Sequence, residues 1–261
     1  MPRPVPLLCV ADPLMVFGGP YSNLEATRAV LAEAARLEIP GDRIVCTGDV
    51  VAYGADPAAT VDLVRGSVRH VVMGNCEQSI AAGSADCGCG FPTGSTCERL
   101  SAAWFAHATR ELNADARAWM ADLPRRIDIE IGGYRLAVMH GGLDIINRFI
   151  FGSTATAIKF EEIRKTRADG IIGGHCGLPF TQAINGQLWH NAGVIGMPAN
   201  DGTPRVGSAC CEPRRMGSQS SIARSATISR RPPPKCSAQA CHKSMRLLSK
   251  PAFGPAAMCC L

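Results

Sequence analysis

The chain has 261 residues, and its hydrophobic content of 46% is ordinary for the core of one large or two small domains. No run of 18 apolar residues occurs and no long apolar segment follows Met1, so we expect no membrane span, no signal peptide and a cytoplasmic protein. The net charge of +5 comes from residues 207–261, which carry +8, whereas residues 1–206 carry −3. This mildly acidic body disfavours nucleic acid and membrane as partners.

Strands and helices are predicted to alternate up to residue 206, which is typical of the α/β class. Leu14–Phe17 is a short apolar run that ends at two glycines, as a buried strand does. Asn23 is a typical N-cap for a helix from Leu24 to about Leu37. Two glycines between apolar runs predict a hairpin of strands 127–131 and 134–139. The other predicted elements are strands 43–47, 70–73, 171–172, 180–184 and 187–190 and helices 100–112 and 114–123.

Four polar residues lie just beyond the ends of these predicted strands. They are Asp49, Asn75, His140 and His175. Because α/β folds place their sites just beyond strand ends, this regular placement makes the four residues candidate site residues. Taken singly, each also has a structural interpretation, such as a turn residue for Asp49 or a hydrogen-bonded core residue for His140.

The domain organisation predicted is a main domain of residues 1–206 and a basic tail rich in Ser, Pro and Cys at residues 207–261. Such a tail buries too little apolar surface to order itself, so we expect it to be disordered or translated out of frame. A nucleic-acid-binding arm is the alternative. Residues 81–98 form a Cys-rich insertion within the main domain. Without a secretory signal, we expect the thirteen cysteines to be reduced or to ligate metal.

Four short segments resemble the metal-binding signature of the calcineurin-like metallophosphoesterases. In chain order they are Gly48-Asp49-Val50-Val51-Ala52-Tyr53-Gly54, Met73-Gly74-Asn75-Cys76-Glu77, Met139-His140-Gly141-Gly142 and Gly173-Gly174-His175-Cys176-Gly177. The resemblance implies a four-layer α-β-β-α sandwich over most of the chain. It also implies a metal-dependent hydrolase, a phosphatase or phosphodiesterase in which divalent cations clamp a phosphoester and activate water.

The resemblance implies a complete ligand set for one metal of the family's pair, with Asp49, Asn75, His140 and His175 as ligands. The other metal is expected to be poorly held. Gly19 and Tyr21 stand where the family has Asp and His, and Gly177 replaces the last His.

Cysteine replaces a catalytic histidine of the family at Cys76, so the residues expected to act in catalysis are Asp49, Cys76 and His140. One hypothesis is that thiolates of Cys76, Cys87, Cys89 and Cys176 rebuild the lost metal position with zinc or iron. The competing interpretation is that these are small buried residues and a glycine-rich loop.

The leading functional prediction is therefore a divergent phosphoesterase that hydrolyses a phosphomonoester or phosphodiester of a small phosphorylated substrate or nucleotide. Its cofactor would be a divalent metal ion (manganese, zinc or iron), with one ion expected and a second left open. Arg148 is a candidate phosphate partner by charge alone. The alternatives are a non-catalytic module that binds metal or phosphate, and a cysteine-based metal or redox protein on the same scaffold.

Overall fold

The computed structural model describes residues 4–198, 206–211 and 222–228. The strands are Leu7–Val10 (β1), Leu14–Phe17 (β2), Ile44–Cys46 (β3), His70–Val71 (β4), Arg126–Ile131 (β5), Tyr134–Met139 (β6), Gly170–Gly173 (β7), Pro179–Ile184 (β8), Gln187–Ala192 (β9), Val206–Cys211 (β10) and Ile222–Ile228 (β11). The helices are Leu24–Arg36 (α1), Pro57–Ser67 (α2), Asn75–Ala81 (α3), Thr96–Glu111 (α4), Ala114–Asp122 (α5) and Thr156–Thr166 (α6). None of the described helices is long and apolar enough to cross a membrane.

The strands form two sheets. One sheet has the order β1-β5-β6-β7-β9-β8, and the other has the order β11-β10-β2-β3-β4. In the second sheet β2, β3 and β4 are parallel, and in the first β6, β7 and β9 are parallel. Parallel strands end at a common edge, so the loops after β3, β4, β6 and β7 are placed where a site can form.

Strand β2 shows how the layers are held together. Met15 and Phe17 pack with the apolar faces of α1 to α5, whereas Leu14 and Val16 point the other way. Side chains alternate between the two faces of a strand, so the second pair packs against the other sheet. Its partners there include Leu136 of β6.

The outer face of the first sheet is covered by α6, where Ile163 packs on Met139 and Trp189. The order of layers is therefore helices, sheet, sheet, helix. The expected four-layer α-β-β-α sandwich is confirmed.

Local sequence signals account for most helix starts. The Asn23 side chain caps α1 by accepting a hydrogen bond from the Ala26 N–H at 3.0 Å, as expected. Ser95 and Asn113 cap α4 and α5 in the same way. The predicted hairpin of β5 and β6 is also confirmed.

A strand of the second sheet spans the boundary predicted at residue 206. Strand β10 pairs antiparallel with β2, with Ala209 opposite Val16, and the buried Cys211 joins the core between the sheets. The second sheet therefore continues beyond residue 206, because β2 needs hydrogen-bond partners on that side. The expected disorder of the tail concerns mainly residues 212–221 and 229–261, which lie outside the described residues.

Candidate metal centre

Tight backbone turns bring the loops of the site together. Gly48 has a φ of 92°, and a Cβ at this position would lie 2.7 Å from the Gly74 nitrogen, so only glycine lets the two loops approach. Asp49 and His175 also adopt left-handed backbone conformations, with φ values of 54° and 59°. Such strain in non-glycine residues is common at functional sites.

Four electron-rich side-chain atoms converge behind these turns. His140 Nε2 lies 3.2 Å from Asp49 Oδ2, and 3.1 Å from both Asn75 Oδ1 and His175 Nδ1. All four residues are buried, at 2–8% exposure. The structure thus brings together the four residues that follow the predicted strands.

The opposite face of the His140 ring decides what these atoms can bind. His140 Nδ1 lies 2.7 Å from the Thr47 carbonyl oxygen, so this nitrogen carries the hydrogen and donates it. In the neutral ring, Nε2 then presents a lone pair to two oxygen acceptors, Asp49 Oδ2 and Asn75 Oδ1, and to His175 Nδ1, which is a further acceptor when the other nitrogen of its ring carries the hydrogen. A cation at the point of convergence satisfies all four atoms, and carboxylate, amide and imidazole suit manganese, iron or zinc. A backbone carbonyl that orients a ligating imidazole is typical of metal sites.

The charges at the site couple His140 to Asp49. Burial alone lowers the pKa of His140, but the adjacent Asp49 carboxylate outweighs burial and raises this pKa above its usual 6.5. Burial raises the pKa of Asp49, but His140 and His175 lower it below its usual 3.8. Burial and the neighbouring His140 lower the pKa of His175 to about 3. In the metal-free protein the raised pKa of His140 favours an imidazolium paired with the Asp49 carboxylate, whereas His175 stays neutral near neutral pH, and a bound cation would take the place of the His140 Nε2 proton.

Glu77 was given no role from the sequence, yet it organises the site. Its fully buried carboxylate accepts hydrogen bonds from the backbone N–H groups of Asp49 (2.8 Å), Gly74 (2.9 Å) and Val51 (3.3 Å). Glu77 thereby joins the loop after β3 to the start of α3. A signal was present, because Glu at the third position of a helix often reaches back to its N-terminus. Burial and the nearby Asp49 raise the pKa of Glu77 to about 7.

Cys76 lies in the site but not as a thiolate. Its backbone N–H donates to Asp49 Oδ1 at 3.3 Å, and its side chain is 1% exposed. Burial and the carboxylates of Asp49 and Glu77 raise the pKa of the Cys76 thiol well above 9. The thiol therefore keeps its proton in the metal-free protein.

The other cysteines proposed as ligands are engaged elsewhere. Cys87 and Cys89 form a disulfide, so neither offers the thiolate that the rebuilding hypothesis requires, and for this pair the expectation of reduced thiols is wrong. The Cys176 thiol donates to the Leu178 carbonyl at 3.5 Å. Among the described residues, the candidate metal cluster contains Asp49, His140 and His175 and no cysteine.

The residues that the resemblance aligns with the ligands of the family's other metal offer few donor atoms. A Cβ at Gly19 would lie 2.8 Å from Tyr21 Cε1 and 2.6 Å from Val194 Cγ1, so a carboxylate has no room there. Tyr21 is 7% exposed, and burial raises the pKa of its hydroxyl well above 10. Gly177 supplies no side chain. These residues do not fit a second hard cation.

A small cavity adjoins the donor atoms. It encloses about 20 Å³, and six of its lining residues are aromatic or imidazole rings: Tyr21, Tyr53, Phe91, Trp104, Phe149 and His175. No lysine or arginine is among the described residues that line it. Arg148, considered as a phosphate partner, instead pairs with the buried Glu162 carboxylate at 2.6 Å. Among the described residues, no lysine or arginine therefore supplies positive charge to the cavity.

Comparison with known proteins identifies the family and the fold of the chain. A model of the calcineurin-like phosphoesterase superfamily domain matches residues 21–213. A metallophosphoesterase from Sphaerobacter thermophilus shares 22% identity and a TM-score of 0.62, over 85% of this chain and 90% of that chain. A hypothetical protein from Pyrococcus horikoshii OT3 shares 15% identity and a TM-score of 0.66, over 92% and 94% of the two chains.

A putative diadenosine tetraphosphatase is also similar, at 14% identity and a TM-score of 0.52, over 86% and 98% of the two chains. No curated protein matches the chain. The family model spans most of the chain, and the solved structures have the same fold as this chain. The chain belongs to the calcineurin-like phosphoesterase superfamily.

Proposed function

We propose that this chain is a phosphoesterase that binds one divalent metal ion through Asp49, Asn75, His140 and His175. The observation that carries the proposal is the convergence of Asp49 Oδ2, Asn75 Oδ1 and His175 Nδ1 on His140 Nε2, while the Thr47 carbonyl accepts a hydrogen bond from the other nitrogen of the His140 ring. When bound, the metal would polarise the phosphoryl oxygen and lower the pKa of a water molecule. Manganese is the first choice to test, because the donors are oxygen and nitrogen without thiolate.

The chain's own residues orient this chemistry. Thr47 keeps the His140 lone pair directed at the ligand set, and Glu77 holds the Asp49 backbone by a 2.8 Å hydrogen bond. Cys76 retains its proton beside Asp49, at the position of the family's catalytic histidine. It can therefore donate that proton to a departing alkoxide, but it is a weaker acid than an imidazolium.

The lining of the cavity favours a phosphodiester as substrate. A diester carries one negative charge, which one divalent metal neutralises, whereas a polyphosphate needs further cations. No lysine or arginine lines the cavity among the described residues. With about 20 Å³, the cavity has room for a metal ion or a water molecule, so the organic groups of the ester would lie outside it. We therefore propose a phosphodiester as the substrate class.

Hydrolysis of bis(4-nitrophenyl) phosphate with Mn²⁺ tests the proposal. The wild type should turn over this diester, and faster than the dianionic 4-nitrophenyl phosphate. Asp49→Asn should lower the rate at least about 100-fold, because it weakens the metal site and removes a ligand charge. Asp62→Asn, on the exposed face of α2, is the matched control and should keep wild-type activity. Equal rates for wild type and Asp49→Asn would refute the proposal.

A non-catalytic module that binds metal and phosphate is the second candidate. The observation that favours it is the Tyr21 ring packed against Gly19, which leaves no room for a carboxylate ligand there, since many phosphoester hydrolases clamp the phosphate between two cations. Calorimetric binding of Mn²⁺ and of inorganic phosphate, with no turnover of the diester, would select this function.

A further inference from the structure

The loop between α3 and α4 places a disulfide next to the metal ligands. Cys87 and Cys89 are bonded across a single glycine, with their Cα atoms 5.3 Å apart, and both are buried, at 3% and 7% exposure. Cys89 also lines the cavity beside Asp49 and His175. The bond therefore lies at the site itself.

The disulfide loop holds the side chain of Asn75. Asn75 Nδ2 donates to the Cys87 carbonyl at 2.9 Å and contacts Cys89 Sγ at 3.5 Å. Because both contacts use the amide nitrogen, the Oδ1 atom of the same amide faces His140 Nε2. The loop thus decides which end of the Asn75 amide points to the metal position.

A second contact ties the same loop to the segment after β6. Asn147 Nδ2 donates to the Gly88 carbonyl at 2.9 Å, and Phe91 lies 6.5 Å from Phe149 between ring centroids. The base of the loop is held by backbone hydrogen bonds from the Gly83 N–H to the Ile80 carbonyl at 3.1 Å and from the Ser84 N–H to the Ser79 carbonyl at 2.9 Å. Between these anchored ends, the disulfide ring is the covalent constraint on the segment that contacts Asn75.

We propose that Cys87 and Cys89 form a redox-active disulfide that exchanges with low-molecular-weight thiols and that, when oxidised, positions Asn75 for metal binding. This inference rests on the metal site proposed above but not on catalytic turnover. Asn75 is then a ligand, and the cysteine pair acts on the metal through it.

The exchange balances in two steps. The thiolate of one monothiol attacks Cys89 Sγ, forming a mixed disulfide and releasing the Cys87 thiolate. The thiolate of a second monothiol then attacks the sulfur of the first monothiol in the mixed disulfide and releases the Cys89 thiolate. The two cysteines together gain two electrons and two protons from the two monothiols. The monothiols leave joined as one low-molecular-weight disulfide. Reoxidation by such a disulfide is the reverse.

Reduction should weaken metal binding. It opens the ring that fixes the Cys87 carbonyl, so the Asn75 amide loses the partner that orients it. Loss of an outer partner of a metal ligand typically lowers affinity about 10–100-fold. We expect a roughly tenfold weaker Mn²⁺ affinity for the reduced protein, at the low end of this range because Asn75 itself remains.

The experiment compares one full-length preparation in two redox states. One sample is oxidised with glutathione disulfide, and the other is reduced with a phosphine that leaves no thiol behind. Alkylation followed by peptide mass spectrometry counts the free thiols at Cys87 and Cys89, and calorimetry gives the Mn²⁺ dissociation constant. We expect both cysteines to be protected only in the oxidised sample, which should bind Mn²⁺ about tenfold more tightly.

Two variants sharpen the comparison. Cys87→Ser/Cys89→Ser should bind Mn²⁺ like the reduced wild type and should not respond to oxidation. Cys9→Ser removes an exposed free thiol on β1, the edge strand of the first sheet, away from the site. This variant should keep the full change in Mn²⁺ affinity between the oxidised and reduced states.

The wild-type comparison alone refutes the inference if both cysteines alkylate equally in the two samples or if the Mn²⁺ affinity is unchanged. Zinc bound by the reduced pair, seen as thiols that alkylate only after chelation, would also overturn it in favour of a thiolate metal site. A redox-dependent affinity without diester hydrolysis would sustain the inference and refute the proposed function, so the two fail separately.

Discussion

Removal of the Glu77 carboxylate should destabilise the fold around the site. Glu77→Ala leaves three buried N–H groups, those of Asp49, Val51 and Gly74, without their acceptor. Each buried donor without a partner costs about 1–3 kcal/mol, and some water can enter the space that the side chain vacates. We expect a total loss of about 3–5 kcal/mol in the free energy of unfolding.

Glu77→Gln should cost much less, about 1 kcal/mol at pH 8. The glutamine amide oxygen can still accept the two short hydrogen bonds. The amide nitrogen takes the place of the other carboxylate oxygen, so only the longest hydrogen bond, from the Val51 N–H at 3.3 Å, is lost. Loss of the negative charge beside Asp49 offsets part of the cost. The contrast between the two variants therefore separates lost hydrogen bonds from lost charge.

The pH dependence follows from the raised pKa of Glu77. Its folded-state pKa of about 7 lies above the ordinary 4.5, so the folded chain binds more protons than the unfolded chain between these values. The stability of the metal-free wild type relative to Glu77→Gln should therefore be highest near pH 4.5 and should fall as the pH rises to 7.

Urea unfolding of the metal-free full-length chain, followed by far-ultraviolet circular dichroism, measures these differences. Glu111→Gln, an exposed residue at the end of α4, is the control and should change stability by less than about 0.5 kcal/mol. A Glu77→Ala variant within 0.5 kcal/mol of wild type, at equal denaturant dependence, would refute the role assigned to Glu77.

Three further predictions concern the site and its support. Asn75→Ala should weaken Mn²⁺ binding about 10–100-fold with little change in the circular dichroism spectrum, and an unchanged dissociation constant by calorimetry would exclude Asn75 as a ligand. Mn²⁺ affinity should fall as the pH drops below the raised pKa of His140, because protonated Nε2 cannot bind metal, and calorimetry from pH 8 to 6 checks this. Lys159→Met should lower the free energy of unfolding by about 2–4 kcal/mol, because the fully buried ammonium donates to Gln182 and two backbone carbonyls; an unchanged urea midpoint would count against it.

Much of the fold was accessible from sequence because its signals are local. Alternating apolar runs predicted the hairpin of β5 and β6, and Asn23 predicted the start of α1. The motif residues after β3 of one sheet and β6 of the other marked the strand ends at which the site lies. Strand β10 was missed because Gly, Ser, Ala and Cys carry little strand signal, and pairing with β2 decides its conformation.

The candidate site was less accessible, because its support depends on contacts distant in sequence. Nothing local indicates that Arg148 would pair with Glu162 rather than face the cavity. The Cys87–Cys89 bond likewise depends on loop geometry that cysteine spacing leaves open. Glu77 was recognisable as a helix-capping residue, but its hydrogen bond to the loop after β3 required the structure.

Metal content per chain tests the central claim most directly. Elemental analysis of full-length protein, purified without chelator and dialysed against Mn²⁺, should find one metal ion per wild-type chain. The Asp49→Asn variant should retain essentially none, and Asp62→Asn should match the wild type. Two ions per wild-type chain, or equal metal content in wild type and Asp49→Asn, would contradict a single site held by Asp49, Asn75, His140 and His175.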